Sequence, residues 1–242
     1  MSKLNMALIG NGRMGKMTES ICQDDDTLNV VGFVGPGDYE MLEQIENVDV
    51  ALDFSYPGNV DMMLENAMAK NIPLVIGTTG LSEAQEEQIR EAAKVIPIVR
   101  ALNFSTGMAV MRRLVRMASE ALAEDFDIEI VEAHHNKKED APSGSAVALL
   151  ESADPNGEYK VLCGREGRPG KRTKREIGVH SLRGGTVAGE HSVMFYGPME
   201  EIELRHRADS REIFARGALR AAQFAVKAKP GLYTVDDVLF GG

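Results

Sequence analysis

The amino-acid sequence predicts an α/β protein. Its first part reads as a parallel sheet wrapped by helices, and its second as an α+β region with a mixed or antiparallel sheet. Strand-like and helix-like segments alternate over the first hundred residues, the pattern of βαβ units. Gly10-x-Gly12-x-x-Gly15 lies between the first strand and the first helix, the place of a Rossmann-like dinucleotide-binding turn. After Asn103-Phe104-Ser105 the alternation gives way to one long amphipathic helix and a run of strands.

Leu4–Ile9 is a short apolar run that meets the glycine turn, and helix-compatible residues follow to Cys22. Residues 29–34 and 48–54 read as the second and third strands. Between Gly58 and Lys70, the residues Val60, Met63, Leu64, Ala67 and Met68 recur at helical spacing. Residues 73–76 form a fourth strand. Ser82 then opens a helix with Gln85 placed to complete a capping box, and residues 97–101 form a fifth strand. Met108, Met111, Leu114, Val115, Ala118 and Leu122 mark the long helix. Further strands are expected at 127–133, 159–163, 187–195 and 200–208. In the last, Ile202, Leu204, His206 and Ala208 alternate with Glu201, Glu203, Arg205 and Arg207, the period of a half-buried antiparallel strand. Phe214, Ala218, Ala221, Ala222 and Ala225 return to helical spacing. The expected domains are 1–105 with 212–242 for dinucleotide binding, and 106–211 for substrate binding and oligomerisation.

Composition narrows the partners. With 27 basic and 37 acidic residues the net charge is −10, which disfavours nucleic acid, whose affinity comes from phosphate neutralisation. The hydrophobic share of 43% and charged share of 26% are those of a globular chain. The longest apolar run, residues 146–150, falls far short of the ~20 residues a membrane span needs. A strand that begins by Leu4 leaves no room for a signal peptide. Two cysteines, Cys22 and Cys163, do not build a disulfide scaffold. The expectation is a cytoplasmic protein that acts on small molecules, without nucleic-acid or membrane partners.

The first glycine of the turn permits a tight bend, the second lets backbone approach a pyrophosphate, and the third lets helix and strand pack closely. Pyrophosphate then rests on unpaired N–H groups at the helix start. Gly10, Asn11, Gly12, Arg13, Met14 and Gly15 are therefore candidate cofactor residues, with NADH or NADPH as the expected cofactor. The acid that holds an adenine ribose about 20 residues on is missing at the end of the second strand, or displaced to Asp38. No arginine follows to hold a 2′-phosphate, so neither cofactor is selected. Gly77-Thr78-Thr79-Gly80 and Asn103-Phe104 follow the fourth and fifth strands, at the carboxyl ends where ligands of open α/β sheets bind.

Residues 132–145, Glu-Ala-His-His-Asn-Lys-Lys-Glu-Asp-Ala-Pro-Ser-Gly-Ser, are the richest in chemistry. His134 and His135 point to opposite faces of a strand and no third ligand stands at metal spacing, so no metal site is expected. A histidine gives or takes a proton near neutral pH. Lys138 follows at a spacing from which a turn brings its ammonium beside the His134 imidazole. Pro142-Ser143-Gly144-Ser145 directly precedes a helical run, and successive N–H groups with two hydroxyls make a carboxylate or phosphate cradle. The combination suits an anionic substrate. Arg165, Arg168, Lys171, Arg172, Lys174 and Arg175 form a basic cluster, read as a solvated loop or as an anion-attracting loop at the substrate entrance.

Several segments now bear together: Gly12-Arg13-Met14-Gly15, Asp53-Phe54-Ser55-Tyr56-Pro57, Gly77-Thr78-Thr79-Gly80, Asn103-Phe104-Ser105, residues 132–145, the stretch 183–191, and Ser210-Arg211-x-x-Phe214-Ala215-x-Gly217-Ala218. On these, which span nearly the whole chain in order, the sequence resembles the dihydrodipicolinate reductase family of bacterial and plant lysine biosynthesis. The resemblance implies NAD(P)H-dependent reduction of 4-hydroxy-tetrahydrodipicolinate in the diaminopimelate route, with His134 and Lys138 as proton donors. It implies that His135, Ser143, Gly144, Ser145 and Arg211 hold a small dicarboxylate substrate; the family usually has threonine where Ser145 stands. Cofactor contacts are implied at residues 10–15, at Gly77, Thr78 and Thr79, and at Ala101, Leu102, Asn103 and Phe104. It further implies a homotetramer joined through the sheet of the substrate domain, with the carboxy-terminal helix returning to the cofactor domain. Two other readings compete. A dinucleotide-sensing regulatory protein needs the glycine turn but not His134, Lys138 or the cradle, and another two-domain amino-acid dehydrogenase shares the architecture.

Overall fold

The computed structural model describes residues 3–35 and 42–241; Asp38, the one candidate for a displaced ribose acid, lies outside them. In chain order the elements are β1 (Leu4–Ile9), α1 (Arg13–Gln23), β2 (Leu28–Val34), β3 (Val50–Asp53), α2 (Val60–Lys70), β4 (Leu74–Ile76), α3 (Glu83–Ala92) and β5 (Pro97–Arg100). Next come α4 (Thr106–Leu122), β6 (Asp127–His134), α5 (Gly144–Ala153), β7 (Lys160–Leu162), β8 (Glu176–Arg183), β9 (Gly189–Tyr196) and β10 (Glu201–Ala208). The chain ends with α6 (Glu212–Ala225), β11 (Gly231–Tyr233) and α7 (Val235–Phe240). It divides into two compact units, Met1–Thr106 with Glu212–Gly242, and Gly107–Arg211.

The first unit is built on a parallel sheet in the order β11-β5-β4-β3-β1-β2. Its central strands are apolar at successive positions because both faces are covered. Ala7 and Ile9 pack with Val60 and Met63 of α2 and Ile89 of α3. Met6, Leu8 and Val99 pack on the opposite face with Ala218, Ala221, Ala222 and Ala225 of α6. The alanines and Gly217 let α6 lie flat: a Cβ on Gly217 would overlap the Phe104 carbonyl oxygen. The capping box that opens α3 forms as expected, with Ser82 Oγ accepting from Gln85 N–H.

The second unit is a mixed sheet in the order β10-β9-β6-β8-β7. The pairs β6–β8 and β7–β8 are parallel, whereas β6–β9 and β9–β10 are antiparallel. Met108, Met111 and Val115 of α4, with Ala146 and Leu149 of α5, cover Ile128, Ile130, Ile177, Val179, Val193 and Phe195. Four elements show where the sequence expectation falls short. The strand β8 emerges directly from the basic cluster, whose charges conceal it, and β6 runs one residue further than expected, to His134. The short edge strand β11 and its following helix α7 carry too few residues for a periodic signal.

Candidate active site

Because every strand of the first sheet runs the same way, the carboxyl ends of β1, β3, β4 and β5 gather at one edge. Gly10 leaves β1 at φ +98°, a left-handed conformation open to glycine, and a Cβ there would stand 2.6 Å from the Phe54 carbonyl oxygen. A Cβ on Gly15 would overlap the Gly10 carbonyl, whereas one on Gly12 meets nothing within 4 Å. The outer glycines are thus demanded by packing and the middle one faces open space. Gly12 caps α1 without a side-chain hydrogen bond, which leaves orphan N–H groups in the first turn for an anion. A cavity of about 340 Å³ adjoins them, lined by Gly10, Asn11, Gly12, Phe54, Ser55, Tyr56 and Asn59. These features fit a dinucleotide pyrophosphate.

Further along the same edge, a Cβ on Gly77 would strike the Phe54 ring, itself edge-on to Phe104 with centroids 6.0 Å apart. Thr78 is buried and its Oγ1 accepts from Ser55 N–H at 2.8 Å. Buried Asp53 accepts from Ser55 N–H at 3.0 Å and Oγ–H at 2.5 Å, and burial pushes its carboxyl up. Asn103 Oδ1 accepts from Ser105 N–H at 2.8 Å, and Leu102 is exposed while Ala101 is half-buried. Thr78 and Phe104 therefore form the floor of this edge rather than its open surface.

In the second unit, strand register does the assembling. Glu132 stands opposite His191 on β9, and His134 opposite Arg183 on β8. His134 Nδ1 lies 2.6 Å from Glu132 Oε2. Arg183 grips the same carboxylate with two N–H donors, each at 2.8 Å, and Ser143 N–H donates to Oε1 at 3.1 Å. Burial pushes the Glu132 carboxyl up, but Arg183, Ser181 and His134 outweigh it and bring it down to about 2. The imidazole packed against His134 is His191, edge-on with centroids 5.2 Å apart, and not the sequence neighbour His135. The Lys138 ammonium is directed to Asp140, with both carboxylate oxygens at 2.8 Å, rather than to His134 as the spacing suggested.

The cradle is also more divided than the sequence implied. Ser143 is buried; its Oγ caps α5 by accepting from Ala146 N–H at 3.2 Å and lies 3.0 Å from His191 Nε2. Its hydroxyl is committed to the fold, so the open part of the cradle is exposed Gly144 with half-buried Ser145. Arg211 is half-buried in the turn that ends this unit. In the basic cluster, Arg165 pairs with Glu129 at 2.8 Å and Glu176 at 2.7 Å. Arg172 pairs with Asp127 at 2.7 Å, and Arg175 with Glu158 at 3.0 Å. Half of that cluster is therefore neutralised and stitches strands together, which limits the anion-attracting reading to Arg168, Lys171 and Lys174.

His191 makes acid stability measurable. Burial, reinforced by the neighbouring His134, holds its ring down to about 4 from an ordinary 6.5. Between those values the unfolded chain takes up a proton that the folded chain refuses. Stability is therefore full above pH 6.5 and falls as pH drops toward 4, by about 3 kcal/mol from this ring. Urea unfolding at both ends of that window should show this loss in the wild type and its absence in His191→Gln. Equal slopes would place the loss elsewhere.

The doubly covered parallel sheet with a glycine turn at its first crossover makes this a Rossmann-type α/β protein carrying a second, mixed-sheet unit. Family profiles narrow that class: the dihydrodipicolinate reductase N-terminus matches residues 4–104, and the dihydrodipicolinate reductase C-terminus matches residues 107–239. The chain belongs to the dihydrodipicolinate reductase family. It is 45% identical to the 4-hydroxy-tetrahydrodipicolinate reductase of Akkermansia muciniphila, over 95% of this chain and 94% of that one. It is 43% identical to the protein of the same name from Caldanaerobacter subterraneus subsp. tengcongensis, over 96% of each. A solved structure, a dipicolinate-bound dihydrodipicolinate reductase from Paenisporosarcina sp. TG-14, shares the fold with a TM-score of 0.81. It is 23% identical, over 99% of this chain and 100% of that one.

Proposed function

We propose that this chain reduces 4-hydroxy-tetrahydrodipicolinate to tetrahydrodipicolinate in the diaminopimelate route of lysine biosynthesis, using NADH or NADPH. The observation that supports this most is the full-length similarity to relatives bearing that enzyme's name. The reaction adds one hydride and one proton to the ring and expels one water. When bound, the nicotinamide supplies the hydride. Residues 10–15 seat the pyrophosphate, while Gly77, Thr78, Thr79 and residues 101–104 border the nicotinamide end. Gly144, Ser145, His135 and Arg211 hold the substrate carboxylates, and Ser143 fixes the turn that presents them. His134 through Nε2 and Lys138 through Nζ are the donors from which the one added proton comes as electron density builds on the ring's nitrogen and adjoining carbon. A sensor of dinucleotides would have no use for this second group of residues. The reading extends to a homotetramer in the cytoplasm, with light-scattering mass as the check on assembly. Among the described residues no helix is long and apolar enough to cross a membrane.

Oxidation of NADH and of NADPH, followed in the presence of freshly generated hydroxytetrahydrodipicolinate, tests the reading; no turnover with either would end it. With neither a ribose acid nor a 2′-phosphate arginine legible after β2, the two affinities should agree within about 1–2 kcal/mol. A preference of several thousandfold would show that a selector exists there.

A further inference from the structure

Glu132 and Arg183 have no role in the reading above, yet they occupy the centre of the second unit's polar cluster. The Glu132 side chain is fully buried and accepts from Arg183, from Ser143 N–H and on the His134 side. A buried carboxylate accepts only; it has no proton to give while it remains ionised, and the bidentate guanidinium keeps it so. The hydrogen at the 2.6 Å contact must then sit on His134 Nδ1. Among the described residues, none hydrogen-bonds to Nε2. It lies beside Gly189, where an added Cβ would stand 3.1 Å away, so the lack of a side chain keeps that nitrogen uncovered. Arg183 has a second grip: its guanidinium also donates to the Asp140 carbonyl at 2.7 Å, and Asp140 holds the Lys138 ammonium.

We propose that the buried Glu132–Arg183 pair is a positioning device for both proton donors, fixing the proton of neutral His134 on Nδ1 and anchoring the turn that carries Lys138. This deepens the reductase reading and rests on it. Glu132 and Arg183 touch no substrate in this account; they act through His134 and Asp140. The chemistry predicts what an isosteric change does. In Glu132→Gln, two fixed donors, Arg183 Nη2 and Ser143 N–H, oppose an amide nitrogen at the Oε1 position and only Arg183 Nη1 opposes one at Oε2, so the new nitrogen takes the place of Oε2. It then donates to His134 Nδ1 and drives the ring's proton to Nε2. With Nδ1–H held by the carboxylate, Nε2 takes a proton from solvent, and the imidazolium so formed, paired with Glu132, delivers it to the substrate ring. In Glu132→Gln the amide donor blocks Nδ1, so that cation is not supported, and the neutral Nε2–H that remains is too weak an acid to give its proton.

The test is long-range proton–nitrogen NMR of the histidine rings in alkaline buffer, with the His134 signals assigned by their loss in His134→Gln. The wild type should show the Nδ1–H form and Glu132→Gln the Nε2–H form. In parallel, kcat of Glu132→Gln should fall about 10²-fold or more, with substrate KM and cofactor affinity little changed. A purely structural role would not reverse the tautomer. The proposal is overturned if wild-type His134 carries its proton on Nε2, or if folded Glu132→Gln turns over at the wild-type rate. Should that variant not fold, the wild-type spectrum alone decides. The spectrum needs no substrate, so a protein without reductase activity would fail the parent reading while still reporting the tautomer.

Discussion

His134→Gln and Lys138→Met should each lower kcat by about 10²–10⁴-fold, the usual cost of losing a positioned proton donor. Hydride addition builds electron density on the ring, and a donor must stand within hydrogen-bond reach as it does so. His134 is held from behind by Glu132 and from the side by His191, so its orientation is set before substrate arrives. Lys138 is held by Asp140 at the surface of the same unit. Cofactor affinity, read by calorimetric titration, should remain near wild type, because the residues that seat the dinucleotide belong to the other unit. Ser145→Ala and His135→Ala should instead raise substrate KM, since carboxylate contacts exist before the transition state. The double variant should lose less than the two singles combined. A chain of contacts links the pair, from Lys138 through Asp140 and Arg183 to Glu132 and His134, and residues that act as a unit are not additive. Both singles folding, binding cofactor and turning over at near wild-type kcat would remove them from the chemistry.

What the sequence disclosed follows from the range of its signals. The glycine turn, the capping box at Ser82 and the period-two pattern of β10 are local, and each is found where its spacing places it. Glu132 was also within reach: two residues before His134 on a strand puts both side chains on one face. Arg183 and His191 were not, because only the pairing of β6 with β8 and β9 brings them to that carboxylate. The same limit explains Lys138, whose spacing from His134 allowed a contact that Asp140 takes instead. The basic cluster was only partly legible for a related reason: two of its acidic partners, Glu129 and Asp127, lie on β6, far away in sequence. Composition reports charge, and only register reports which charges are already paired.

Within the glycine turn, Gly12→Val should abolish cofactor binding while leaving the fold intact, and Gly15→Val should damage both. Gly12 sits in an extended conformation, φ −81° and ψ −164°, which a β-branched residue adopts readily, and a Cβ there has open space around it. The added isopropyl group then fills the volume where backbone must approach pyrophosphate. Loss of that approach should weaken NADH binding at least 100-fold, about 3 kcal/mol, with a thermal midpoint within a few degrees of wild type. At Gly15 the Cβ overlaps the Gly10 carbonyl, a backbone atom that cannot swing aside as a flexible side chain would. The helix α1 must then separate from β1, which should cost about 3 kcal/mol or more in stability before binding is considered. Calorimetric titration and urea unfolding on both variants distinguish the two roles. Unchanged NADH affinity in folded Gly12→Val would remove the turn from the cofactor site, and wild-type stability in Gly15→Val would refute the packing argument for the third glycine.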